Sequence, residues 1–229
     1  MYHLGSRAGA IPRAELKDFK GAIQTDGYKV YDYFEQTGDV TLLSCMAHAR
    51  RKFVDAQTAY PQLAAEGVKM ISMLYTLESN LRDSGASYTE IAKERQEKAI
   101  PIMDAMEVWM QESSKKTTPS DKLGEAIDYS FKLWPRLRRY TEDGRYQINN
   151  NPVERNQRPS VMGRKNYLFS KSDSGAIDNA IFYSLIESCT IVGVNPLEYL
   201  TYVLGKLEDD MKKEELTLLL PHKYKETCK

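Results

Sequence analysis

Cysteine is scarce in this sequence, with Cys45, Cys189 and Cys228 the only three in 229 residues. None belongs to a C-x-x-C pair, so a disulfide framework is excluded and thiols in a reducing compartment are expected. Histidine is as rare, and Cys45-x-x-His48 is the one stretch with the spacing of a metal half-site. Zinc takes about four ligands. His3, His222 and Cys228 lie near the termini and supply no second cluster, so the plainer reading is a buried Cys and a hydrogen-bonded His near a strand end. No run approaches the length of apolar chain needed to span a bilayer. The start, MYHLGSRAGAIPRAEL, lacks the apolar core of a secretory signal. A cytoplasmic location follows as the expectation. Net charge is missing too: 32 Lys and Arg offset 32 Asp and Glu. That argues against a histone-like or polybasic protein, but a sum conceals how charge is distributed.

What is present is a globular composition, 41% hydrophobic and 28% charged, which excludes collagen-like, mucin-like and wholly disordered chains. The length suits one domain, or one domain carrying an insertion. The opening has neither a strand nor a helix signal, as though the chain began partway through a fold. A short helical stretch, AELKDFK, precedes Ala22-Ile23, which reads as a buried strand ending in the Thr25-Asp26-Gly27 turn. Residues 28–35 read as helical, with Thr37-Gly38-Asp39 as the stop. VTLLSCMAH is a second strand, and HARRKFVDAQTAY a helix with a basic first turn. From about Pro61 to Leu133 only helical spacing occurs: Met70, Ile71, Leu74, Leu77 and Leu81 share one face, Thr89-Glu90 supports a second start, and Pro119 to Lys122 opens a third helix. A dense, aperiodic stretch follows, RYQINNNPVERNQRPSVMGRKNYLFS. After it come a strong helix, SGAIDNAIFYSLIESCTIVGV, a last helix opened by Asn195-Pro196, and a polar tail with one apolar run. The expectation is an α/β chain with an all-helical insertion. Four segments follow: 1–57, a partial core; 58–133, the insertion; 134–184, the end of the core; and 185–229, a C-terminal helical region.

Three constellations could carry chemistry. In Asn150-Asn151-Pro152-Val153-Glu154-Arg155, Asn151 is a good N-cap and Pro152 suits the first helical position, which sets Glu154 at the third. A carboxylate there can simply complete a capping arrangement. Its surroundings favour more: Arg155, Arg158, Arg164 and Lys165 crowd around this one acid. From Lys132 to Lys171 there are ten bases and three acids, a local charge of +7, with Tyr140, Tyr146, Tyr167 and Phe169 interleaved. Such a stripe suits a phosphate backbone and unstacked bases, although a solvated basic face is the common alternative. Arg predominates in it, and Arg forks onto phosphates. Asp26, at a strand end, is either a turn former or a carboxylate at the ligand edge of a sheet. Two carboxylates beside a phosphate-binding surface are what a divalent-metal nuclease requires.

Four stretches, GAIQTDGYKVY, SCMAHARRKF, INNNPVERNQRPSVMGRKNYLFS and SLIESCTIVGVNPLEYLTYVLGKL, resemble the C-terminal part of the insertion sequence 66 family of bacterial DDE transposases; LLLPHKY is similar to its ending. The resemblance implies an RNase H-like core with a helical insertion before the final acid. It implies metal-dependent DNA strand cleavage and strand transfer, with a water cutting at the transposon end and the freed 3′-hydroxyl attacking target DNA. Asp26 matches the second acid of the triad and Glu154 the third. They would be catalytic ligands of Mg²⁺ or Mn²⁺, two ions in the complete enzyme. Cys45 and His48 match a C-x-x-H element, and with Asn150 and Asn151 they would support the site from behind. Arg155, Arg158, Arg164 and Lys165 match the basic signature beside the final acid, and Arg50 and Arg51 join them as DNA-binding residues. Partners would be transposon-end and target DNA, further copies of the chain or accessory transposition proteins, on the bacterial nucleoid. The family's first acid lies on an earlier strand. Only Asp18 precedes Asp26 here, within AELKDFK, and it does not fit that role. The expectation is therefore a core lacking its first strands and inactive as it stands. Two alternatives stay open, a non-catalytic DNA-binding or regulatory transposase remnant and a helical interaction protein with no DNA role.

Overall fold

A computed structural model describes residues 9–227 apart from 157, 168, 169 and 171. His3, Cys228, Phe169 and Lys171 lie outside the described residues. The chain divides into two compact units, one within Arg7–Pro152 and the other from Val153 onward.

The first unit opens with α1 (Ala10–Glu15), upstream of the expected AELKDFK helix. Pro12 falls in the first turn, where its missing N–H costs no hydrogen bond. The chain must then turn to enter β1 (Gly21–Thr25). Gly21, at φ +132°, takes up that turn. A 3-10 turn at Lys29–Tyr31 and α2 (Asp32–Glu35) lead to β2 (Val40–Ser44). The strands pair in parallel from Gly21 opposite Val40 to Thr25 opposite Ser44. β2 is buried for most of its length, whereas β1 is half-exposed until Thr25. The expectation of a buried first strand is corrected here: among the described residues β1 has no second strand neighbour, and its Gln24 Nε2 donates to the Gln147 carbonyl at 2.7 Å.

Helices dominate the rest of this unit: α3 (Met46–Ala56), α4 (Pro61–Asp83), α5 (Tyr88–Glu94), α6 (Ile100–Ser114) and α7 (Lys122–Arg138). Ser87, not Thr89, starts α5 through a reciprocal capping box with Glu90. A single π-turn, Arg95–Ala99, joins α5 to α6. Pro101 has no N–H to give the carbonyl four residues back, and the widened turn accommodates that loss. One core runs from the sheet through the helices. Leu43, Met46, Ala49 and Phe53 pack with Ile71, Leu74, Met103, Met106, Ile127 and Trp134. The α/β expectation thus holds in its coarser form: the chain is mostly helical and carries a small parallel sheet.

A buried ion pair braces this core. Arg95 lies on the π-turn at 2% exposure, facing Glu78 of α4 at 8%. All five guanidinium N–H groups find acceptors: both carboxylate oxygens of Glu78 at 2.8 and 2.6 Å, and the carbonyls of Tyr140, Asp143 and Tyr146 at 2.8, 2.8 and 2.9 Å. The segment entering the Asn-rich motif is thereby fixed to the helical block.

The second unit begins with α8 (Asn151–Asn156), which the unit boundary crosses, and α9 (Arg158–Tyr167). The aperiodic Asn/Arg/Pro stretch is therefore largely helical, with Pro152 and Pro159 in the first turns of α8 and α9 and no apolar stripe to mark them. α10 (Asp173–Val192) starts at Ser172, whose hydroxyl accepts the Gly175 N–H, and ends at Gly193 with φ +71°. α11 (Pro196–Leu204) starts at Asn195, as its sequence predicts. It is not the last helix: α12 (Lys213–Leu218) and α13 (Pro221–Thr227) follow in the tail. Cys189, Tyr199 and Val203 form the small core there, and Tyr224 of α13 meets Tyr199 edge-on. Among the described residues no helix is long and apolar enough to cross a membrane.

Candidate functional site

Parallel pairing sends the carboxyl ends of β1 and β2 to one edge of the sheet. Asp26 and Cys45 are the first residues beyond the paired Thr25 and Ser44, and the Cys45 N–H bonds the Thr25 carbonyl at 2.9 Å. α3 starts at the same edge, so the positive end of its dipole lies there as well.

Asp26 is exposed. Its Oδ1 accepts the Tyr28 N–H at 3.0 Å, which forms the expected turn, and Oδ2 has no partner among the described residues. The turn is clamped from one side by α7. The Tyr129 hydroxyl donates to the Asp26 carbonyl at 2.6 Å. One helical turn on, Leu133 sits under Gly27, where a Cβ would lie 2.5 Å from Leu133 Cδ1. Gly27 has φ +88°, a conformation only glycine adopts easily.

Cys45 is fully buried. It lies near two phenols that are pushed up to about 12, Tyr75 of α4 and Tyr129 of α7, in both cases chiefly by burial. The negative charge of Asp26 raises Tyr129 further. Asn149 and Arg50 partly offset the shift at Tyr75. His48 is half-buried in the first turn of α3, while Arg50 and Arg51 project from the same helix and are exposed.

The Asn-rich motif reaches this edge as well. The Ile148 carbonyl accepts the Met46 N–H at 3.0 Å, and the Gln24 amide holds the Gln147 carbonyl. Asn149 Oδ1 accepts the Asn151 N–H at 2.9 Å. The capping oxygen is therefore that of Asn149, not Asn151, and Asn151 is already helical. Asn150 Oδ1 is buried without a partner among the described residues. Sequence order alone does not reveal which of three consecutive Asn caps, since each has the same chemistry.

Glu154 lies in the first turn of α8, exposed, with Arg155 following it. Arg158 and Lys165 are exposed on α9, which also carries Arg164. These residues belong to the second unit, whereas Asp26, Cys45, His48, Arg50, Arg51, Asn150 and Asn151 belong to the first. Among the described residues no group of three or more His, Cys, Asp or Glu gathers as metal ligands. The donor type at the strand end does suit a hard divalent ion, being an exposed carboxylate with one oxygen unengaged.

The Transposase IS66 family profile matches residues 1–178, and the IS66 C-terminal element matches residues 184–222. This chain belongs to the IS66 transposase family. It is 34% identical to the uncharacterized protein y4qI of Sinorhizobium fredii (strain NBRC 101917 / NGR234), over 96% of this chain and 42% of that protein. It is 29% identical to y4hP and to y4jD of the same strain, over 98% and 96% of this chain and 43% and 44% of theirs. The chain thus spans less than half the length of these curated relatives. No solved structure matches it.

In this IS66 family chain the basic stripe divides in two. Arg136 pairs with Asp32 and Glu35 at 2.7 and 2.6 Å, and Arg139 with Glu35. Arg136 is the main cause that holds Glu35 below its ordinary carboxylate range. Arg138 reaches Asp104 and Glu107, Lys132 pairs with Asp128, and Arg145 with Asp143. Five of the ten bases are therefore engaged with acids of their own unit, and the reading of one continuous phosphate-binding stripe is corrected. A local count misses this because Asp32, Glu35 and Asp104 are distant in sequence. Tyr129, Lys52, Glu78 and Arg95 are what sequence reasoning overlooked. The i,i+4 pair Tyr129–Leu133 was the one available signal for the clamp.

Proposed function

We propose that this chain supplies the second and third acids, Asp26 and Glu154, of a DDE transposase centre on an RNase H-like core, together with bases that hold DNA. The observation that carries this reading is Asp26 itself: a family-matched carboxylate beyond a parallel strand, fixed through its own backbone by Tyr129 and with one oxygen open. Bound Mg²⁺ or Mn²⁺ would supply Lewis-acid activation at phosphorus and at the attacking and leaving oxygens. Asp26 and Glu154 would hold such ions. The chain's own work is positional. Gly27 and Tyr129 fix the direction of Asp26, and Arg95 anchors the segment leading to the Asn motif. Asn149 caps the helix that bears Glu154. Arg155, Arg158, Arg164 and Lys165, with Arg50 and Arg51, would bind phosphates. On this reading residues 1–57 and 134–184 furnish the core, 58–133 the insertion and 185–229 a C-terminal helical region. Partners would be the element's ends and target DNA on the nucleoid, with self-association or accessory proteins.

Labelled duplex DNA carrying a nick-detectable strand tests this. The expected result is binding that weakens steeply with salt; any Mg²⁺- or Mn²⁺-dependent nicking should be lost in Asp26→Asn and in Glu154→Gln. Equal nicking by the wild type and Glu154→Gln would refute the catalytic assignment. Binding without any nicking would leave the non-catalytic DNA-binding reading in its place. Absence of salt-dependent binding would favour a helical interaction protein.

A further inference from the structure

Lys52 follows His48 by one turn on α3 and faces α7. Its Nζ stands 5.0 Å from the centroid of the Tyr129 ring, and the Tyr129 hydroxyl is the group that holds the Asp26 carbonyl. The side chain is half-buried, and among the described residues no carboxylate pairs with it. Lys98, Lys115, Lys122 and Lys132 of this unit each sit against an acid three or four residues away along the chain. Here an ammonium is held in place by an aromatic face, which attracts its charge without neutralising it. It stands one side chain away from the backbone of an exposed carboxylate. The amino end of α3 adds positive potential at the same edge. A cation restrained in this way loses little rotamer freedom when it meets an anion, and an ammonium with three donors suits a single phosphate oxygen.

We infer that Lys52 binds a DNA phosphate at the Asp26 edge of the sheet, with Tyr129 as its positioning residue. The inference rests on the DNA-binding reading above. Each phosphate neutralised in duplex DNA contributes about 0.9 to the slope of log affinity against log salt, about eightfold in Kd at roughly 0.1 M salt. Fluorescence anisotropy with labelled duplex DNA over a salt series reads both quantities. Lys52→Gln should lower the slope by about 0.9 and weaken binding by about eightfold at roughly 0.1 M salt. Lys52→Arg should keep the wild-type slope. Lys115→Gln, which removes an exposed cation paired with Glu112, should change neither. Tyr129→Leu should weaken binding, and Tyr129→Phe, which keeps the ring, should restore it. Circular dichroism checks that each variant folds. If the wild type binds and Lys52→Gln keeps its slope, Lys52 is no phosphate ligand, although the DNA-binding reading stands. An equal loss in Lys115→Gln would also overturn the assignment. If Tyr129→Leu binds like the wild type, its positioning role is wrong. A wild type without salt-dependent binding overturns both readings together.

Discussion

Replacing Arg95 by Met removes a cation with five internal acceptors and leaves the Glu78 carboxylate buried without a counter-charge. Breaking a buried pair by removing one partner costs about 3–5 kcal/mol. Here the carbonyls of Tyr140, Asp143 and Tyr146 lose their donor as well, which points to the upper part of that range. The two tryptophans, Trp109 and Trp134, lie in the same compact unit as the pair. Their emission during urea unfolding therefore reports that unit alone. With an m-value of about 2 kcal/mol/M, the midpoint should fall by about 1.5–2.5 M. Glu78→Leu combined with Arg95→Met removes both charges, so the double variant should be less destabilised than the sum of the singles by at least about 1 kcal/mol. The three carbonyls still lack their donor, and recovery should stay incomplete. A cost below about 1 kcal/mol for Arg95→Met, or additivity in the double variant, would refute the account of this network.

Gly27→Ala should destabilise the same unit by about 1–3 kcal/mol for the left-handed backbone alone, with a further cost from the Leu133 contact. Gly27→Ala with Leu133→Ala, followed by the same emission, should separate contact from strain: relief by the second substitution marks the contact. Asp121 caps α7 by accepting the N–H groups of Gly124 and Thr118, which hold its carboxyl down at about 2. Its contribution is present above the ordinary value of 3.8 and is lost as pH falls from there through about 2. Asp121→Asn should flatten that acid-side loss in melting temperature; an unchanged acid limb would contradict it. Tyr75 and Tyr129 are raised by burial from 10.0 to about 12. Their contribution is complete below pH 10.0 and disappears as pH climbs towards about 12. Phenolate absorbance should show these two ionising after the exposed tyrosines, and Tyr129→Phe should remove one late titration.

The Asp26 turn and the start of α11 are legible in the sequence because they rest on local chemistry. Thr25-Asp26-Gly27 makes a turn wherever a strand ends. Asn195 caps because a short polar side chain reaches the free N–H groups of the next turn. The Asn-rich segment is aperiodic in sequence because α8 and α9 carry Pro in their first turns and no apolar stripe. Arg136 and Arg139 leave the basic stripe because they find Asp32 and Glu35 across about a hundred residues of chain.

By itself, the sequence determined the family, the strand-end turn that bears Asp26 and the helical character of the middle. Family motifs and capping both depend on near neighbours along the chain. Only the tertiary structure decided which charges cancel, which Asn caps α8, that Tyr129 and Leu133 clamp the Asp26 turn, and that Lys52 rests on an aromatic ring beside it. Those outcomes depend on elements far apart in sequence packing together, and the burial that sets them belongs to no single segment.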